Sequence, residues 1–169
     1  MLFPNYIYMR TTDEIFQLVS VIPDPEIPVI NIAELGVLRK VDFIEGNYVV
    51  YITPTYSGCP AMKQMEDDIY ELLNKAGILN SKVVTVYNPA WTTDWITESA
   101  KKKLFAYGIA PPIKSSPDKS LITGEEKKIV CPRCKSKNTD MVSAFGSTAC
   151  KALYKCLDCL EPFDYFKCI

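Results

Sequence analysis

Two Cys-x-x-Cys pairs near the C-terminus, Cys131-Pro132-Arg133-Cys134 and Cys156-Leu157-Asp158-Cys159, restrict this chain more than any other feature. Each pair forms a knuckle whose two sulfurs face the same way, and the residues between the pairs suffice for a β-hairpin that turns the second knuckle toward the first. Four thiolates placed like this make a tetrahedral site with zinc–sulfur bonds of about 2.3 Å. The competing reading is a set of buried or disulfide-bonded cysteines. The chain has seven cysteines and no histidine, so mixed Cys/His zinc sites, Ser-His-Asp triads and Cys-His dyads are excluded within it. An odd cysteine count argues against a complete disulfide framework. Residues Met1 to Met9 lack the basic-then-apolar pattern of a signal peptide, and no apolar run approaches the roughly 20 residues of a membrane span. The expectation is a cytoplasmic protein with no membrane association, keeping its thiols free for metal. An all-cysteine site also accepts iron or a [2Fe–2S] cluster, but two compact knuckles suit a structural zinc ion.

A tail of this size does not fold on apolar burial alone, and the bound metal supplies the missing stability. The net charge of −1 hides an asymmetry, with 8 basic and 4 acidic residues from Lys127 onward and 11 basic and 16 acidic before it. Four thiolates on zinc offset part of that positive excess. The dense basic stripe of a nucleic-acid binder is missing, so nucleic acid is not expected as a partner, although zinc ribbons often bind it.

Ahead of the tail, Thr11 or Thr12 caps a helix whose first turn carries Asp13 and Glu14, with Ile15, Leu18, Val19 and Ile22 at helical spacing and Pro23 ending it. Pro23, Pro25 and Pro28 then stiffen a segment carrying Asp24 and Glu26, which is either a rigid surface turn or an acidic loop beside a site. Strands are expected over 37–44 and 48–53 around the turn Glu45-Gly46-Asn47. A helix follows Pro60 and stops at Gly77, a third strand spans 81–87, and Asp94 is expected to cap a last helix in which Trp95, Ile96, Ala100, Leu104 and Tyr107 share a face. The Pro-, Ser-, Lys- and Glu-rich stretch 111–128 reads as a linker. The organisation is therefore a first domain over 1–110, the linker over 111–128 and a ribbon over 129–169. The fold class is α+β: a small mixed sheet with flanking helices, followed by a small all-β zinc ribbon.

Cys59 is the most chemically suggestive residue of the first domain. With Pro60 at the first helical position, Cys59 is expected at the N-cap, where free N–H groups and the helix dipole lower a thiol pKa. A buried, inert cysteine is the bland alternative. No second cysteine stands in Cys-x-x-Cys relation to it, which argues against a thiol-disulfide enzyme.

Asp24-Pro25-Glu26-Ile27-Pro28, Ile32-Ala33-Glu34-Leu35-Gly36 and Thr53-Pro54-Thr55-Tyr56-Ser57-Gly58-Cys59-Pro60 resemble the α/β domain of SufT-type iron–sulfur assembly factors. Trp91-Thr92-Thr93-Asp94-Trp95-Ile96, Gly108-Ile109-Ala110-Pro111-Pro112 and the tail motifs Phe145 to Tyr154 and Glu161 to Cys168 narrow the resemblance to the PaaD family of phenylacetate-degradation accessory proteins. The likeness covers nearly the whole chain. It implies a non-catalytic maturation factor for the multicomponent phenylacetyl-CoA 1,2-epoxidase, whose reductase and oxygenase subunits are the implied partners. The implied role is assembly or insertion of the reductase's iron–sulfur cluster, with iron or a cluster held in passing. Cys59 matches the family's reactive cysteine, and Asp24 and Glu26 match its acidic loop. Cys131, Cys134, Cys156 and Cys159 are assigned to metal by spacing alone, and Cys150 and Cys168 are possible additional ligands or packing residues. Two rival readings are a structural subunit or docking scaffold of the oxygenase complex without metal transfer, and a thiol enzyme using Cys59 on a CoA thioester.

Overall fold

The computed structural model describes residues 9–113 and 128–167. Cys168, the first eight residues and most of the expected linker (114–127) lie outside the described residues. The architecture is α+β, as expected. Helix α1 (Thr12–Ser20) opens on a full capping box: the Glu14 N–H donates to Thr11 Oγ1 at 3.1 Å, and the Glu14 carboxylate accepts from the Thr11 N–H. That reciprocal pair satisfies orphan donors of the first turn. Strands β1 (Leu38–Ile44) and β2 (Asn47–Ile52) form an antiparallel hairpin. Helix α2 (Ala61–Lys75) then crosses over, and β3 (Ser81–Thr85) pairs parallel to β2, giving the order β1-β2-β3.

Asp94 does not cap a long helix. It sits in a short 3-10 turn (Thr93–Trp95), where its N–H donates to Thr92 Oγ1. Helix α3 (Glu98–Tyr107) starts later, on Thr97, whose hydroxyl accepts from the Ala100 N–H. A threonine in extended conformation three residues before a free N–H is the better cap, and the shift leaves Tyr107 exposed while Ala100 and Leu104 are buried. Gly108 closes α3 in the left-handed region.

The chain then passes into the second sheet. Strand β4 (Ile109–Ala110) pairs parallel with β7 (Pro162–Phe166), which pairs with β6 (Lys151–Cys156), which in turn pairs with β5 (Thr139–Ser143). A small core of Ala110, Ile129, Cys131, Ala152, Tyr154, Cys156, Phe163 and Tyr165 fills this sheet's inner side. The larger core combines α1, α2, α3 and the first sheet, and it also takes in Cys150 and Phe166 from the ribbon. Phe166 is 1% exposed and meets the Trp91 ring at 6.1 Å between centroids. The two sheets are therefore joined by shared packing as well as by the chain.

The loop after α1 is held as a closed excursion. Its ends pair through the Asp24 N–H to Ile30 O and the Ile32 N–H to Ile22 O, both 2.9 Å. Trp91 Nε1 donates to Leu35 O at 3.0 Å, and Lys103 holds Glu34 at 2.8 Å. At the loop's end Gly36 has φ +77, and a Cβ there would stand 2.6 Å from Trp95 Cβ. Both the backbone conformation and the close approach require glycine. Gly36→Ala is expected to destabilise the fold by about 1–3 kcal/mol, read as a lowered midpoint of thermal unfolding against the wild-type chain.

Candidate functional site

The four paired cysteines meet as the spacing predicts. Their sulfurs all lie within 4.8 Å of one another, with Cys131 to Cys159 at 3.8 Å and Cys134 to Cys156 at 3.5 Å. A tetrahedral ion with metal–sulfur bonds of about 2.3 Å separates its sulfurs by about 3.8 Å, so the donor set fits zinc in both chemistry and spacing. The two knuckles share one backbone device: the residue after each second cysteine, Lys135 and Leu160, adopts positive φ (65 and 64). Backbone N–H groups of Cys159 and Asp158 donate to the Cys156 sulfur and push its thiol down to about 7 against the effect of burial. Donors aimed at sulfur favour the thiolate, the form that binds metal. Asp158 also ties the second knuckle to the first, accepting from Ser136 Oγ and from Asn138 Nδ2 at 2.7 Å. Bound at these residues, zinc supplies structure: apparent binding energies of about 10–16 kcal/mol in comparable sites far exceed what so small an apolar core provides.

A second constellation forms where the two sheets meet. Asp24, Glu26, Thr55, Cys59, Cys150 and Phe166 are among the residues lining a cavity of ≈ 10 Å³, about the room one water molecule needs. The Asp24 carboxylate is nearly fully buried at 5% exposure, and Oδ1 accepts from the N–H groups of Glu26 (2.9 Å) and Ile27 (2.7 Å). Burial nevertheless holds its carboxyl above the usual range, despite these two bonds.

Cys59 lies one residue outside the position expected for it. Pro60 is the N-cap of α2, and it provides no side-chain cap. The Ala61 N–H still donates to the Cys59 sulfur, and the Tyr56 hydroxyl hydrogen-bonds to it, but burial outweighs both and raises the thiol pKa. The negative charges of Glu26 and Asp24 push it the same way. The expected lowering is thus reversed: the helix terminus is present, but the sulfur is half-buried beside two carboxylates. Tyr56 is itself pushed up to about 12, by burial first and by the neighbouring Cys59 next.

Cys150 enters the same cavity from the ribbon, immediately before β6. It is 5% exposed, with its sulfur 3.0 Å from Thr148 Oγ1 and 3.7 Å from Glu26 Oε2. Lys151 follows it, buried, with Nζ 3.5 Å from Asp164 Oδ2. Reading the sequence identified every thiol and carboxylate here, but not that Cys150 crosses 124 positions of sequence to face Glu26. Thr148 and Lys151 were missed, since nothing local marks them. Among the described residues, only the ribbon cysteines form a group of three or more potential metal ligands that close together.

Comparison with known proteins assigns the two parts separately. Residues 12–86 match the family model "Iron-sulfur cluster assembly protein", and residues 115–167 match "PaaD zinc beta ribbon domain". The chain is 49% identical over 156 residues to an Escherichia coli (strain K12) protein named as one of the subunits of a "Putative 1,2-phenylacetyl-CoA epoxidase", covering 92% of each chain. It is 29% identical to a Porphyromonas gingivalis protein named "Fe-S protein maturation auxiliary factor", over 59% of this chain and 96% of the relative. The crystal structure of a domain of unknown function, DUF59, from Bacillus anthracis superposes with a TM-score of 0.50 at 28% identity, covering 55% of this chain and 90% of that one. No helix among the described residues is long and apolar enough to cross a membrane.

Two outcomes follow from these sites. Stripping the ribbon metal with a chelator is expected to melt the ribbon and free Phe166 from Trp91, seen as zinc release with a red shift of tryptophan emission. The raised Cys59 pKa keeps the neutral thiol dominant at and above the ordinary thiol value of about 8.5. Alkylation of Cys59, followed by mass spectrometry, is therefore expected to be slow at neutral pH and to climb only beyond that value. Glu26→Gln should bring the rise to lower pH by removing a negative charge. A Cys59 that labels fastest at neutral pH would contradict the assigned direction.

Proposed function

The chain belongs to the PaaD family, and from that premise we propose that it is an accessory protein of a phenylacetyl-CoA epoxidase system that assists assembly or insertion of the iron–sulfur cluster of the reductase. The observation that carries this reading is the half-buried Cys59 thiol beside two carboxylates, Asp24 and Glu26, in the part of the chain that matches the iron–sulfur assembly model. In this reading iron or a cluster is cargo, and Cys59, Asp24 and Glu26 hold it in passing. A thiol kept protonated until a metal arrives suits such a carrier, because coordination displaces the proton and departure of the cargo restores it. The same raised pKa weakens the thiol-enzyme reading, because a nucleophile acting on a thioester needs the thiolate at working pH. The ribbon, stapled by zinc, docks the reductase or oxygenase subunits. Its exposed apolar side chains, Val142, Phe145 and Leu160, support a role in contact.

The relative named as a subunit favours a second reading, a scaffold that holds the oxygenase complex together without metal transfer. Reductase produced together with the wild-type chain or with Cys59→Ser separates the two. Under the maturation reading, iron, sulfide and visible absorption per reductase fall several-fold with the variant. Unchanged cluster content, with the assembled complex still recovered, would sink that reading and leave the scaffold.

A further inference from the structure

Strands β2 and β3 run parallel and end side by side, at Ile52 and Thr85, with helix α2 as the crossover between them. In such units ligands bind in the crevice beyond the carboxyl ends of the strands. Here the segments that leave those ends enclose a cleft of ≈ 270 Å³, whose lining includes Thr53, Thr55, Tyr56, Ser57, Tyr87 and Trp91. Thr53 and Trp91 are buried, while Tyr87 stands at the rim with 66% exposure. Two residues tie this cleft to the junction cavity. Thr55 lines both, and Tyr56 lines the cleft while its hydroxyl hydrogen-bonds to the Cys59 sulfur.

We propose that this cleft is a docking site for a client protein, an extended segment of which inserts an uncharged aromatic or aliphatic anchor side chain between Tyr56, Tyr87 and Trp91, beside Cys59. The chemistry of the walls selects that occupant. The described residues that line the cleft carry aromatic rings, hydroxyls and apolar groups, and no charge. Such walls offer nothing to offset a phosphate, a carboxylate or an ammonium group taken out of water. The rings pack on an apolar anchor, and the hydroxyls of Thr55 and Ser57 are left to bond the main chain that carries it. The volume falls just below the roughly 300–1,000 Å³ of small-molecule sites, so a side chain fits better than a cofactor. Tyr and Trp are also the residue types that carry most of the binding energy in protein interfaces. Docking here brings the client against Tyr56, the residue that faces the cleft and holds the Cys59 sulfur, so occupancy of the cleft and the state of the thiol are physically connected. That the client is the reductase rests on the maturation role proposed above; the cleft itself does not.

The test uses the full chain with its ribbon loaded with zinc, titrated by calorimetry with the cluster-free reductase and, separately, with the oxygenase subunits. Tyr87→Ala removes the ring at the rim, and Ala90→Trp fills the cleft from its exposed edge. Each is expected to weaken binding of one of these proteins by at least about tenfold. Hydrogen exchange of the wild-type chain with that protein bound needs no variant: slower exchange over 53–57 and 86–91 is expected, and slowing confined to the ribbon overturns the proposal. Unchanged affinity for both proteins in both variants, or no binding of either, also overturns it. Reductase cluster content is scored separately. Cleft-dependent binding of a reductase whose cluster is indifferent to Cys59→Ser removes the maturation role and leaves the docking site standing, and cleft-dependent binding of the oxygenase subunits alone removes the reductase as client.

Discussion

The packing of Phe166 against Trp91 is the contact on which the rest of the molecule depends. Phe166 ends the last strand of the ribbon, yet it is buried in the core built by the N-terminal helices and sheet. Trp91 in turn donates its indole N–H to Leu35 O, at the end of the acidic loop. One aromatic pair thus links the second sheet to the loop that carries Asp24 and Glu26. Burying a side chain of this size stabilises by roughly 1.5–3 kcal/mol, a large share of the margin that holds a small domain folded. The ribbon places Phe166, and Phe166 with Cys150 closes the junction.

The electrostatics of that junction run against the simplest expectation for a cysteine near a helix start. The N–H of Ala61 reaches the Cys59 sulfur, so the helix contributes its donor. Desolvation and two carboxylates contribute more, and with opposite sign. The outcome is a thiol favoured in its neutral form beside two carboxylates, one of which, Asp24, burial also pushes toward its protonated form. In the ribbon, backbone N–H groups aim at the Cys156 sulfur and favour the thiolate. Cys156 in the ribbon and Cys59 at the junction are therefore shifted in opposite directions, the first by backbone donors and the second by burial.

Much of this was legible from residue order. The Cys-x-x-Cys spacing alone located the four-sulfur cage, because knuckle geometry is local. The Thr11–Glu14 capping box and the Glu45-Gly46-Asn47 turn were equally readable for the same reason. The start of α3 was not: Asp94 and Thr97 are both capping residue types, and Asp94 is taken up in the short turn with Trp95, whose Cβ packs over Gly36 while Arg39 stacks on its ring at 3.5 Å. The sign of the Cys59 shift was hidden because burial depends on Phe166, Cys150 and the acidic loop, all distant in sequence. The Cys150–Glu26 approach was hidden for the same reason.

Strand β4 carries a consequence for how the chain is put together. Ala110 and Ile129 belong to the same small core, and Ile109–Ala110 pairs with β7. One end of the intervening stretch therefore lies in the ribbon's sheet and the other in its core, and the covalent link between them is not the only thing that holds the ribbon in place. A peptide bond cut in that stretch would leave a non-covalent heterodimer of two fragments.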